Sequence, residues 1–180
     1  YCIINNMSKL KYIIREAKPN EFQEVGQLMV NVYSQLDGFP NKDEQPNYYK
    51  TLANAGKFTL KPKVKLLVAK LPNKSIDGVV VYFGDMQFYG SGGIAPNQKN
   101  AAGFRLLAVS NKARGKGIGK LLTNYCIELA KNELQKELII HSTMSMHIAW
   151  SMYKKMGFTR SPELDFMQEG LKVLGFGLKL

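Results

Sequence analysis

Phe104-Arg105-Leu106-Leu107-Ala108-Val109, followed shortly by Arg114-Gly115-Lys116-Gly117-Ile118-Gly119, decides the reading of this chain. The first run is mostly apolar and strand-like, as expected near the centre of a sheet. The second opens a segment in which Ile118, Leu121, Leu122, Tyr125, Cys126, Leu129 and Leu134 recur at helical spacing, which predicts an amphipathic helix with that stripe in the core. A helix start leaves several backbone N–H groups unpaired and carries partial positive charge. Glycines there let an anion approach the bare backbone, and Arg114, Lys116 and Lys120 add formal charge. The segment reads as a phosphate cradle.

Two familiar phosphate motifs fail on spacing. A nucleotide P-loop needs Gly-Lys-Ser/Thr, but Gly119-Lys120 is followed by Leu121, and Arg114 stands where the first glycine belongs. The dinucleotide fingerprint needs a third glycine where this chain has Lys120 or Leu122. What fits is Arg-x-x-Gly-x-Gly, at Arg114, Gly117 and Gly119. It resembles the acetyl-CoA pyrophosphate motif of the GNAT-type N-acetyltransferases. Further on, Ala149-x-x-x-Tyr153-x-x-x-Gly157-Phe158 is similar to a later signature of the same family, and Leu106 to Val109 looks like its fourth strand.

The order of elements agrees. Tyr12 to Arg15 reads as a strand, Pro19 to Gln35 as a helix and Gln45 to Ala55 as a second helix. Lys63 to Lys70 and Ile76 to Phe83 form a predicted hairpin around Asn73-Lys74-Ser75. Gly84 to Ala101 is a long glycine-rich loop, of a kind that is often functional or mobile. After the central strand and the cradle helix come a short strand at Glu137 to His141, a helix at Ser145 to Met156, a strand starting at Phe158, an excursion from Ser161 to Gly170, and a closing strand at Lys172 to Leu180. The expected fold is a mixed α/β sheet of order βααβββαβαββ in one domain spanning residues 1–180. The resemblance implies central strands splayed apart for coenzyme A.

Composition bounds the function classes. Hydrophobic residues make up 45% of 180, enough for a real core. No apolar run is long enough to cross a bilayer as a helix. Tyr1 to Asn6 carry no function in this reading, and Met7 is a candidate true start. Cys126 is expected as a buried free thiol, which suits a reducing cytoplasm, and no metal site is expected. The net charge of +11 is spread over scattered lysines, without a basic tail or an aromatic-studded basic stripe. A cationic surface that draws in a polyanionic coenzyme explains it better than a nucleic-acid face.

The resemblance implies acetyl transfer from acetyl-CoA to the primary amine of a small-molecule acceptor, by direct attack in a ternary complex. Leu107, Ala108 and Val109 would pair with the pantetheine arm, with the Val109 N–H or its neighbour on the oxyanion. Arg114, Gly115, Lys116, Gly117, Ile118, Gly119 and Lys120 would hold the pyrophosphate. Tyr153 would protonate the leaving thiolate; its bland alternative is a packing tyrosine beside Trp150 or Phe158. The family's strand-four glutamate is missing, since Ala102-Gly103-Phe104 stands in its register, and Arg105 stays protonated. His141 is the candidate base, and the alternative is a strand-end histidine bonded to a loop. His147 reads as surface or packing. Met146 stands where the family often has a coenzyme-contacting Asn, with Ser142, Thr143 and Ser145 as candidate replacements. Tyr33, Asp37, Tyr48, Tyr49 and Asp165 fall on the family's acceptor side and would suit a small cationic amine; the alternative is that the tyrosines are ordinary helix packing and Asp165 a plain loop carboxylate. A coenzyme A-binding sensor without turnover is the alternative function. Whether two chains pair is open.

Overall fold

The computed structural model describes residues 11–180. Tyr1 to Asn6, Met7 and Cys2 lie outside them. The elements are β1 (Ile13–Glu16), α1 (Phe22–Ser34), α2 (Pro46–Ala53), β2 (Val64–Lys70), β3 (Ile76–Phe83), β4 (Ala101–Val109), α3 (Ile118–Asn132), β5 (Glu137–Ser142), α4 (His147–Lys155), β6 (Thr159–Arg160), β7 (Phe166–Gln168) and β8 (Leu171–Lys179). The expected order holds with one addition, the short strand β7 inside the excursion before β8.

The strands form a sheet of order β1-β2-β3-β4-β5-β8-β6, with β7 also on β8. Every neighbouring pair is antiparallel except β4 and β5. Side chains alternate across the sheet with period two. Leu66, Val68, Val79 and Val81 face α1 and α2 in one core cluster. Leu67, Val80, Tyr82 and Phe104 face the other way, with Ile118, Leu122 and Cys126 of α3 and Tyr153 of α4. Both faces are therefore covered, and β2 and β3 read as near-continuous apolar runs.

The parallel pairing of β4 with β5 covers only Ala101 to Phe104 against Glu137 to Ile140. Beyond it the two strands part. β4 stays on β3, but with a shift of register: Val79 faces Ala108 while Val81 faces Arg105. The extra β4 residue is a bulge, and Leu106 within it has a left-handed φ of 59°. A bulge bends its strand, and this one coincides with the point where β4 leaves β5. The edge of β4 from Arg105 to Val109 that faces the gap has no strand partner among the described residues.

The long segment between β3 and β4 is packed rather than loose. It carries short 3-10 turns at Met86–Phe88 and Ala95–Asn97, and Met86, Tyr89 and Ala95 are buried. The stripe expected along α3 needs correction. Ile118, Leu122 and Cys126 are buried, but Leu121, Tyr125 and Leu134 are 42%, 38% and 83% exposed. The buried face instead runs through Thr123, Ile127 and Ala130. Cys126 is a buried free thiol, and burial pushes its pKa up. Among the described residues no helix is long and apolar enough to cross a membrane, and no cluster of His, Cys, Asp or Glu could hold a metal.

Candidate active site

The β4–α3 connection is tied down from below. Buried Asp77 on β3 accepts from Ser110 Oγ at 3.0 Å and from Tyr12 Oη at 2.9 Å, and lies 3.5 Å from Lys112 Nζ. Its carbonyl accepts the Ser110 N–H at 2.8 Å. A 3-10 turn at Asn111–Ala113 then delivers the chain to Gly115 and Gly117, with φ of 77° and 79°. Gly117 is the N-cap of α3, and both glycines face open space where a Cβ would stand. An L-residue side chain would be strained at either φ and would project into that space.

Consecutive backbone N–H groups from Gly115 to Lys120 have no acceptor among the described residues; the first intrahelical bond runs from Leu121 N–H to the Gly117 carbonyl at 3.0 Å. Such a row at the N-terminus of a 15-residue helix forms an anion site with the dipole behind it.

The cradle opens into a cavity of about 670 Å³ that runs along the β4–β5 gap. Arg105 to Val109 form one wall, and Ala149, Met152 and Tyr153 of α4 form another. Of the residues expected to hold coenzyme, Leu107, Ala108, Val109, Arg114, Gly115, Gly117, Ile118, Gly119 and Lys120 line it; the Lys116 side chain is exposed outside it. Met146, Ser142 and Ser145 line it too, whereas Thr143 lines only a smaller neighbouring cavity.

Tyr153 is buried between Phe104 and Phe158, with ring centroids 5.9 and 5.6 Å away. Tyr153 lines the cavity, and its hydroxyl makes no hydrogen bond to the described residues. Burial raises its pKa, so it is a neutral donor at physiological pH.

His141 does not fit the role of a free base. Nε2 lies 2.8 Å from the Leu164 carbonyl, so it carries the proton and donates. Nδ1 is then the acceptor, and the Tyr89 hydroxyl sits on it at 3.0 Å. Burial, aided by the positive Arg105 and Arg160, lowers the pKa and keeps the ring neutral, while the Leu164 bond opposes the shift. With both nitrogens committed, His141 is a strand-end histidine that ties two loops together. His147 is exposed.

The acceptor side also departs from expectation. Tyr33 lines both cavities and donates to the Leu107 carbonyl at 3.3 Å. It packs on Tyr48 and Phe39 with centroids 6.0 and 5.5 Å away. Tyr48 lines the smaller cavity, and burial, opposed by Arg105, pushes its hydroxyl up to about 12. Tyr49 is core: its ring is buried and its hydroxyl donates to the Pro40 carbonyl at 2.9 Å. Asp37 is exposed in the turn after α1 and lines neither cavity. Asp165 is bound bidentately by Arg160 at 2.9 Å and accepts the Gly175 N–H at 2.8 Å. Burial works against its charge, but Arg160 and that N–H prevail and hold its pKa below the usual value. Three of its acceptor sites and its charge are thus already engaged within the protein. The residues that sequence reasoning missed are Arg105, set aside because it cannot be a base, and Tyr89, hidden in the long loop.

These features can be set beside known proteins. The model for the acetyltransferase (GNAT) domain matches residues 57–180. No curated protein matches the sequence. Solved structures share the fold. A GNAT-family acetyltransferase from Staphylococcus aureus aligns with TM-score 0.71 at 15% identity, over 94% of this chain and 99% of its own. A GCN5-related N-acetyltransferase from Kribbella flavida aligns with TM-score 0.66 at 15% identity, over 94% of this chain and 98% of its own. The PaiA N-acetyltransferase from Thermoplasma acidophilum, solved in complex with coenzyme A, aligns with TM-score 0.69 at 12% identity, over 92% of this chain and 98% of its own. With the domain match covering β2 through β8, the parted central strands and the bare amides of the cradle fall into place: this chain belongs to the GNAT family of acetyltransferases.

Proposed function

We propose that the protein transfers the acetyl group of acetyl-CoA to the primary amine of a small molecule in a ternary complex, within one domain. The observation that carries this reading is the row of unpaired N–H groups from Gly115 to Lys120 at the mouth of a cavity running along the parted strands. The row suits a diphosphate, with Arg114 and Lys120 beside it, and the open β4 edge suits an amide-bearing arm. Tyr153 lines the same cavity as the cradle, which supports a thioester lying beside it.

The chemistry then needs no enzyme nucleophile. The neutral amine attacks the thioester carbon, and the carbonyl oxygen becomes an oxyanion held by the N–H of Val109 or its neighbour. The C–S bond breaks, the thiolate takes the Tyr153 proton, and the proton lost from nitrogen goes to water. Tyr153 recovers its proton from solvent. No carboxylate or free imidazole stands ready as base among the described residues lining the cavities, so the amine reaches its neutral form through water.

Calorimetric titration with acetyl-CoA tests the cradle. Gly117→Glu places a side chain and a negative charge where phosphate would sit, so binding should vanish; equal affinity in the two proteins removes the argument. Thiol release with a panel of amines then separates an enzyme from a sensor that binds coenzyme without turnover.

A further inference from the structure

Beside the coenzyme seam lies a cavity of about 60 Å³, several times the roughly 10–15 Å³ needed to hold one water. The two share Tyr33, Arg105, Leu106, His141 and Ser142, so they meet at the point where β4 and β5 part. A small group seated there has its neighbours in the seam.

Every polar side chain around this cavity has a hydrogen-bond donor, and none is a carboxylate. The Arg105 guanidinium gives one N–H to the Tyr89 carbonyl at 2.8 Å and stacks on the Tyr89 ring 5.6 Å from its centroid. It has no carboxylate partner among the described residues, whereas Arg15 and Arg160 both do. Ser142 and Thr143 are 3% and 4% exposed, and their hydroxyl oxygens lack any hydrogen-bond partner among the described residues. Buried polar groups without partners cost stability, and two adjacent ones next to a half-buried unpaired cation point to a group that completes them. Tyr48 contributes a further protonated hydroxyl. Asp165, whose field also reaches His141, is engaged by Arg160.

We infer that the acceptor is an amine that also carries a carboxylate, and that the small cavity holds this carboxylate on Arg105, Ser142, Thr143 and Tyr48. The inference rests on the acetyl-transfer reading and narrows it from amines in general to amino-acid-like ones. A planar carboxylate matches the fork of a guanidinium and accepts from the hydroxyls at the same time. Its amino group then projects into the seam at Leu106 and His141, toward the coenzyme. Polyamines and aminoglycosides, which are cationic throughout, would meet Arg105 as a like charge. Arg105 is thereby a specificity-determining residue.

The test uses the full chain and acetyl-CoA. Initial rates of thiol release are measured with the L-amino acids, and for the best of them with the matched amide and the matched decarboxylated amine. The acid should exceed its amide and its amine in kcat/KM by about 10- to 100-fold, the range expected for a charge-assisted hydrogen bond. Arg105→Gln should erase that preference, mainly through KM, while Arg105→Lys keeps part of it. The double variant Ser142→Ala/Thr143→Val should raise KM for the acid alone. Melting temperature and circular dichroism show that each variant is folded. An amide or amine used as well as the acid overturns the inference, as does a preference that survives Arg105→Gln. If no acceptor turns over, the coenzyme A-loaded protein is titrated calorimetrically with the same amino acids; no binding there overturns the inference as well. Failure of acetyl-CoA itself to bind is a separate result and strikes the underlying reading.

Discussion

Tyr153 is the side chain on which the proposed proton transfer turns, and its surroundings set what it can do. Phe104 and Phe158 fix the ring, and burial holds the phenol protonated well above its ordinary range. A raised pKa means the donor form persists as pH rises, so tyrosine ionisation does not cut activity anywhere below about pH 10. His141 adds no ascending limb of its own, because its lone pair is taken by Tyr89. The rate should therefore climb with pH as the acceptor's own ammonium titrates, and level off without an alkaline fall below pH 10. Tyr153→Phe keeps the packing and removes the donor. It should lower kcat by about 10²- to 10⁴-fold with acetyl-CoA affinity unchanged, measured by initial rates and calorimetry. A second ascending inflection, with the rate falling as pH drops through it and the inflection lost in His141→Gln, would restore the histidine as base.

At the scale of elements, the proposed acceptor wall depends on how closely α1 and α2 approach. Gly26 of α1 makes that approach: a Cβ built on it would lie 2.2 Å from the carbonyl oxygen of Ala53. That oxygen belongs to the backbone at the end of α2, so the clash cannot be relieved by turning a side chain. Gly26→Ala should push the two helices apart and destabilise the fold by about 1–3 kcal/mol, more than the modest gain in helix propensity can offset. Because Tyr33 ends α1 and Tyr48 lies in α2, acceptor KM should rise more than acetyl-CoA Kd. Denaturant melts and steady-state kinetics on this variant check both parts. The contact also shows what was legible in the sequence. Periodicity located α1, α2, α3 and the hairpin to within a few residues, because each buries a repeating face. It placed Leu121 and Tyr125 in the α3 core wrongly, because small Ala130 and polar Thr123 take that face and Thr123 satisfies its hydroxyl on the Gly119 carbonyl at 2.8 Å. The cradle was legible because backbone sites depend on glycine and spacing. The proposed acceptor side was legible only in Tyr33 and Tyr48, because Arg105, Ser142 and Thr143 join them from separate segments, and Asp165 looked free only while its partner Arg160 was unknown.

The whole molecule is two half-sheets, β1–β4 and β5–β8, joined edge to edge by the short parallel ladder of Ala101 to Phe104 on Glu137 to Ile140. Past that ladder the halves are separated by the cavity, whose walls come from β4 and α3 on one side and from β5 and α4 on the other. A coenzyme in the seam would contact both halves and supply the cross-links that β4 and β5 do not make for themselves. Binding to the native state alone stabilises by about 2.7 kcal/mol at a hundredfold excess over Kd, which for a chain of this length corresponds to a rise in Tm of about 5–11 °C. Amide exchange should slow most along residues 105–120 and 141–153, the two lips of the seam, rather than uniformly. The +11 net charge adds a second signature. If long-range attraction to a polyanion contributes, the Tm rise at fixed acetyl-CoA should shrink as salt is raised and the Debye length contracts from about 10 Å at 0.1 M to about 3 Å at 1 M. Gly117→Glu should show neither the rise nor the protection. A variant that gained as much stability from acetyl-CoA as the native sequence would place the coenzyme somewhere other than the seam, and the joining of the two half-sheets would need another cause.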